Sequence, residues 1–165
     1  MDRVNIYTYT DIRGPGRRTG YYVYLLEQET AKGPATLHKI EKAAERETEN
    51  KVQLLAVIGA LKRLRKNCDL EIHTHSEYVS AGFTKGWLAR WAENGWLNEK
   101  GKPVANREEW EEMAELLNAH EFLFHPGRHA YSIWMEREIE KRKERELCLI
   151  GSENSAVPER SMRRQ

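Results

Sequence analysis

His75, held between Thr74 and Ser76, is the residue of this chain whose type and setting first suggest chemistry. It closes a short segment, Leu70 to Thr74, in which apolar and polar residues alternate as in a strand, and Ser76 can cap a helix after it. An imidazole nitrogen can bind one metal ion, cannot bridge two, and prefers Zn2+ or similar ions to Mg2+. Downstream lies a second pattern, in which Trp87, Trp91 and Trp96 interleave with Lys85 and Arg90 and lead into Lys100-Gly101-Lys102. Trp87 and Trp91 fall on one helix face. A lone tryptophan at helical spacing usually belongs to a core. Cations set among several of them make a surface that meets phosphates, where binding weakens steeply with salt and positions a duplex without reading its sequence.

These residues need a scaffold. Val4–Thr10, Tyr21–Glu27 and Ala35–Glu41 read as strands, separated by the turns Arg13-Gly14-Pro15-Gly16 and Lys32-Gly33-Pro34. Thr48 caps a helix predicted to reach Arg65. After the strand before His75 come a helix through Ala81, a helical segment over Trp87–Glu93, and a helix capped by Asn106 and running through Leu117. A strand over Phe122–Phe124 and a last helix over Ala130–Leu147, highly charged in its second half, complete the order. The expected class is α/β: a mixed five-stranded sheet, three antiparallel strands followed by two parallel ones, flanked by helices. From Gly151 onward no apolar periodicity remains. The expectation is one domain over 1–147 and a polar tail over 148–165.

Composition narrows the function classes. The 165 residues are 39% hydrophobic and 32% charged, enough for a single core with a solvated surface. No run is long or apolar enough to span a bilayer, and nothing near Met1 reads as a signal peptide, so no membrane partner and a cytoplasmic location are expected. Cys68 and Cys148 form no metal or disulfide motif; Cys68 is expected at a strand entrance and Cys148 beyond the last helix. The net charge of +1 is uninformative, whereas Arg13, Arg17 and Arg18 cluster in one loop.

From Glu71 to Trp110 the chain reads EIHTHSEYVSAGFTKGWLARWAENGWLNEKGKPVANREEW, which resembles the middle of a ribonuclease H domain with His75 where the family has a metal-binding Asp. The resemblance spans roughly Val4 to Ile139 and implies the ribonuclease H fold. GWLARWAENGW and GKPVANREEW resemble the family's basic protrusion, a helix-and-loop handle for an RNA–DNA hybrid. It implies that Trp87 and Trp91 anchor and line the handle while Lys85, Arg90, Lys100 and Lys102 meet phosphates. Thr48-Glu49-Asn50 resembles a Thr-Asn-Asn that binds phosphate and the RNA hydroxyl at a helix N-terminus; Thr48 and Asn50 match and Glu49 does not.

The family cuts RNA with two Mg2+ held by four carboxylates. By resemblance those positions fall on Tyr9, with Asp11 as the candidate two residues further on; on Gln53, with Glu49 one turn earlier; on His75; and on Met135 or Glu136. His129 is the nearest counterpart of a loop histidine that assists product release. The expectation is a nucleic-acid-binding protein, for an RNA–DNA hybrid or A-like duplex, that lacks the two-Mg2+ mechanism and needs no cofactor. Two alternatives stay open. One is an active hybrid ribonuclease in which Asp11, Glu49, His75 and Glu136, with His129 nearby, form an atypical site for a divalent cation (Mg2+, Mn2+ or Zn2+). The other is a protein-binding adaptor using the charged helix Glu136–Glu146. Oligomeric state is open.

Overall fold

A computed structural model describes residues 1–164, with side chains through Leu149. Five strands, β1 (Asp2–Thr10), β2 (Tyr21–Thr30), β3 (Gly33–Lys42), β4 (Cys68–Thr74) and β5 (Glu121–Pro126), form one sheet in the order β3-β2-β1-β4-β5. β1 pairs antiparallel with β2, and β2 with β3, while β4 runs parallel to both β1 and β5. The mixed sheet expected from the sequence is therefore present. The helices are α1 (Glu49–Leu61), α2 (Glu77–Thr84), α3 (Trp87–Glu93), α4 (Arg107–Leu117) and α5 (Ser132–Arg164).

Side-chain alternation divides the sheet between two cores. In β4, Cys68, Leu70, Ile72 and Thr74 are buried, and Glu71 and His73 point to the other face; His75 follows directly after the strand. The first face packs with Leu54, Val57, Ile58 and Leu61 of α1 and with Trp110, Met113 and Leu117 of α4. Trp110, Met113 and Leu117 are all but fully buried, and each such side chain contributes about 2–3 kcal/mol of transfer free energy. The second core is smaller, with Tyr7, Tyr9, Tyr21, Val23 and Leu25 under Met135 and Ile139 of α5.

Several element ends differ from expectation for local reasons. α1 stops at Leu61, not Arg65, because the Arg63 and Leu64 amides turn back to the Ala60 and Leu61 carbonyls. Asn106 does sit before α4, but it has left-handed backbone (φ 59°) and caps nothing with its side chain; its Nδ2 donates to Tyr78 Oη at 3.3 Å instead. Cys148 lies within α5 and not beyond it. The expected tail over 148–165 falls, from Ile150 on, outside the residues whose side chains are described. No helix among the described residues is long and apolar enough to cross a membrane.

Candidate nucleic-acid interface

Because β1, β4 and β5 are mutually parallel, their C-terminal ends share one edge of the sheet. In sheets of this kind, ligands are met by the loops beyond the strands' carboxyl ends. Three segments converge there: the β1–β2 loop with Arg13, the β4 end with His75, and the β5–α5 loop with Arg128 and His129.

His75 is the hub. Its Nε2 lies 2.6 Å from Ser132 Oγ at the start of α5, and its ring meets Tyr9 and His129 edge-on at 5.3 and 5.1 Å. Ser132 Oγ also accepts from the His129 amide at 2.9 Å. Burial, followed by the charges of its neighbours His129, Arg13 and Arg128, pushes the His75 pKa down to about 4, so the ring is neutral at pH 7. The Arg13 guanidinium stacks over the Tyr9 ring at 5.1 Å.

His129 is fixed from both sides. Nε2 donates to the Thr8 carbonyl at 2.8 Å, and Nδ1 accepts from the Tyr131 amide at 3.1 Å. This sets one neutral tautomer, and desolvation holds its pKa below the ordinary range. A histidine bound in this way braces the β5–α5 loop against β1, which is not the expectation of a loop residue free to assist chemistry.

The expected substitute carboxylates do not gather around His75. Asp11 accepts from the Tyr21 amide at 2.7 Å and pairs with Lys143 Nζ at 2.5 Å. Glu49 accepts from the Gly14 amide at 3.1 Å. Glu136 is exposed on α5. Met135, fully buried, belongs to the apolar core under α5. Among the described residues, the α5 side chain hydrogen-bonded to His75 is Ser132, not Met135 or Glu136. The set Asp11, His75 and Glu136 makes no metal cluster, and no group of three His, Cys, Asp or Glu side chains among the described residues could hold an ion. Gln53 is buried on α1, and its Oε1 has no hydrogen-bond partner among the described residues.

The handle is built on α2, α3 and the loop after them. Tyr78 Oη accepts from Trp110 Nε1 at 2.8 Å, and Trp91 meets the Trp110 edge at 5.5 Å, which ties the handle to the main core. Trp87 and Trp96 flank Trp91 with centroids 5.9 and 6.4 Å away, all three half-buried. Lys85 Nζ stands 5.9 Å from the Trp87 ring centre. Trp87, Arg90, Trp91, Leu97 and Lys100 line an open groove of about 670 Å3. Lys85, Arg90, Lys100 and Lys102 are all exposed, and the amides of Lys100 and Lys102 are gathered by Asn98 Oδ1 at 2.9 and 3.1 Å. The base of the handle packs closely, since a Cβ on Gly82 would run into the Trp110 ring. Thr48 serves as the N-cap of α1, accepting from the Lys51 amide at 3.3 Å, with Asn50 exposed beside it.

The RNase H family model matches residues 2–126. The chain belongs to the RNase H family. It is 34% identical over 121 residues to the Ribonuclease H of Thermoanaerobacter sp. (strain X514), covering 73% of this chain and 74% of that protein. To the Ribonuclease H of Nitratidesulfovibrio vulgaris (strain DSM 19637 / Miyazaki F) it is 44% identical over 78 residues, 47% of this chain and 50% of the relative. The chain thus spans about half the length of that relative and of similar ones from Thermus thermophilus. In fold it is similar to LC9-RNase H1, a type 1 RNase H with the type 2 active-site motif (TM-score 0.65, 22% identity, 85% of this chain and 71% of that one). It is also similar to the PFV RNase H domain (TM-score 0.58, 17% identity, 85% and 90%). The family match ends before α5, where the sequence offered no fixed register.

Set against an RNase H metal pair, the residues here do not fit. Tyr9, Gln53, His75 and Ser132 carry no formal negative charge, and Arg13 and Arg128 add two positive ones. Mg2+ is a hard ion that depends on carboxylate oxygens. Sequence reasoning missed Ser132 and Arg128. The only signal for either was the short loop Gly127-Arg128-His129-Ala130-Tyr131, which brings α5 in earlier than a longer loop would.

Proposed function

We propose that this RNase H-family chain binds an RNA–DNA hybrid, or a duplex of A-like geometry, without cutting it by the two-Mg2+ route. The observation that carries the reading is a complete tryptophan-and-cation handle beside a cleft whose residues at the family's metal positions are neutral and whose nearest charges are arginines. One solved structure of similar fold is that of a foamy viral protease-reverse transcriptase in complex with RNA/DNA hybrid (TM-score 0.55, 18% identity, 77% of this chain and 17% of that one), which agrees with a nucleic-acid partner for the fold. Handle contacts by Lys85, Arg90, Lys100 and Lys102 are phosphate contacts, so they give affinity and register and little sequence preference.

The test has two arms. Fluorescence anisotropy with a labelled hybrid is expected to show binding at low salt that falls linearly on a log–log plot as salt rises. Incubation of the same hybrid with Mg2+, Mn2+ or Zn2+ is expected to leave it uncut. Absence of binding at low salt overturns the binding role, and cleavage with any of the ions overturns the loss of chemistry.

A further inference from the structure

Resting on that reading, we infer that Arg13 and Arg128 form a metal-independent clamp for a backbone phosphate of the bound duplex, at the sheet edge where other family members hold their metal ions. The two arginines arrive from different loops, after β1 and after β5: Arg13 lies over the Tyr9 ring, which meets His75 edge-on, and Arg128 immediately precedes His129, which also meets the His75 ring. Both are exposed, and neither makes an ion pair among the described residues, in contrast to Arg3, Arg17, Arg107 and Arg142. Guanidinium forks match the oxygens of a phosphodiester and keep their charge at any working pH.

The surroundings position Arg13. Asp11 is engaged by Lys143 and the Tyr21 amide, and Glu49 by the Gly14 amide, so two nearby carboxylates fasten the loop that bears Arg13; Asp11 is offset by the Lys143 cation, while Glu49 keeps its charge against the neutral amide and is the one repulsive group that the two guanidinium charges must outweigh. Gly14 itself holds a left-handed turn at φ 83° that a side chain would strain. The Tyr9 ring supports the guanidinium from below. The neutral imidazoles of His75 and His129 close the floor of the cleft. A phosphate drawn here sits on the same edge as Thr48 and Asn50 at the start of α1, whose backbone also favours anions.

The experiment is a hybrid-binding salt series in EDTA, comparing the wild type with Arg13→Gln, Arg128→Gln, the double variant, and Arg17→Gln as a control for loss of charge in the same loop. Circular dichroism checks that each variant is folded. The expected result is that EDTA leaves wild-type binding unchanged. Each clamp substitution should weaken binding on the order of tenfold and lower the log–log salt slope by about one, while Arg17→Gln changes neither. A wild type that binds hybrid only when Mg2+ is added, or a double variant with unaltered slope and affinity, overturns the clamp and leaves the family's handle role standing. A wild type that binds no hybrid overturns both. Inorganic phosphate at matched ionic strength should displace the hybrid from the wild type better than chloride does and should lose that advantage in the double variant; the same advantage in both proteins would place the phosphate contact elsewhere and overturn the clamp.

Discussion

Replacing His75 with glutamine should make the protein more stable in acid relative to the wild type, and by an amount that the cleft itself sets. The ring's pKa is about 4 in the folded chain against 6.5 when unfolded, chiefly through burial, with His129, Arg13 and Arg128 adding to it. The folded value is the lower one, so the unfolded chain takes up the proton first. Stability is therefore undiminished above pH 6.5 and is lost as pH falls towards 4, below which the penalty is constant. At pH 4.5 the unfolded ring is almost wholly protonated and the folded one about a quarter so, which places the penalty at about 2.5 kcal/mol. Because the ring is only half-buried, solvent screening brings the realistic figure to roughly 1.5–2.5 kcal/mol. Glutamine keeps a polar atom near Ser132 Oγ and has no titration. Urea denaturation of both proteins at pH 7.5 and 4.5 gives the difference directly. The wild type should lose that much more stability than His75→Gln between the two pH values. His73, His120 and His129 titrate in both proteins and cancel in the comparison. Equal losses in the two proteins would show that His75 is not desolvated among cations, and the account of the cleft would fall with it.

Three further outcomes follow from the same geometry. Placing acids at the four cleft positions (Tyr9→Asp, Gln53→Glu, His75→Asp and Ser132→Asp) should yield little Mg2+-dependent hybrid cleavage until Arg13→Gln and Arg128→Gln are added, because the new carboxylates otherwise pair with the arginines; a gel assay in which Met135→Asp serves better than Ser132→Asp would refute the placement of α5. Gly82→Ala forces Trp110 to shift away from a direct clash and should cost about 1–3 kcal/mol in urea denaturation, with weaker hybrid binding as the handle loosens; unchanged stability would mean that the indole has room to move. Asp11→Asn removes the closer of the two partners of Lys143, leaving Glu140, and weakens the anchor of the β1–β2 loop, with an expected loss of about 1–2 kcal/mol and faster amide exchange at Arg13 and Gly14; an unaltered exchange pattern would separate Asp11 from the loop.

The order of elements was legible because each strand carries its own pattern. Alternation in Cys68–Thr74 assigns Leu70 and Ile72 to one face and His75 to the other before any partner is known. The handle was legible because Trp87, Trp91 and Arg90 lie on one short helix, where spacing in sequence is spacing in space. What could not be read is what depends on the meeting of distant segments. Ser132 and His75 are brought together by the entry of α5, whose register has no local marker, and the resemblance left Met135 and Glu136 equally eligible. The destinations of Asp11 and Glu49 were equally hidden, since a carboxylate in sequence does not reveal whether it will face a cation, an amide or a metal ion.

The fate of those two carboxylates explains why the cleft's charge is a collective property and not the result of a single substitution. Asp11 has one oxygen on the Tyr21 amide and the other on Lys143, so its charge is spent within the fold. Glu49 is committed to the loop at Gly14. Freeing either for metal would loosen the segment that carries Arg13, and freeing Asp11 would leave Lys143 with Glu140 alone. An acid returned at His75 alone would meet Arg13 and Arg128, both without an ion pair among the described residues, and a salt bridge there would form before a hydrated Mg2+ gave up its water. The Tyr9 support and the carboxylate fastenings of the β1–β2 loop thus hold Arg13 in place, and one or two acids returned to the neutral positions would be offset by the two arginines before they could serve a metal ion.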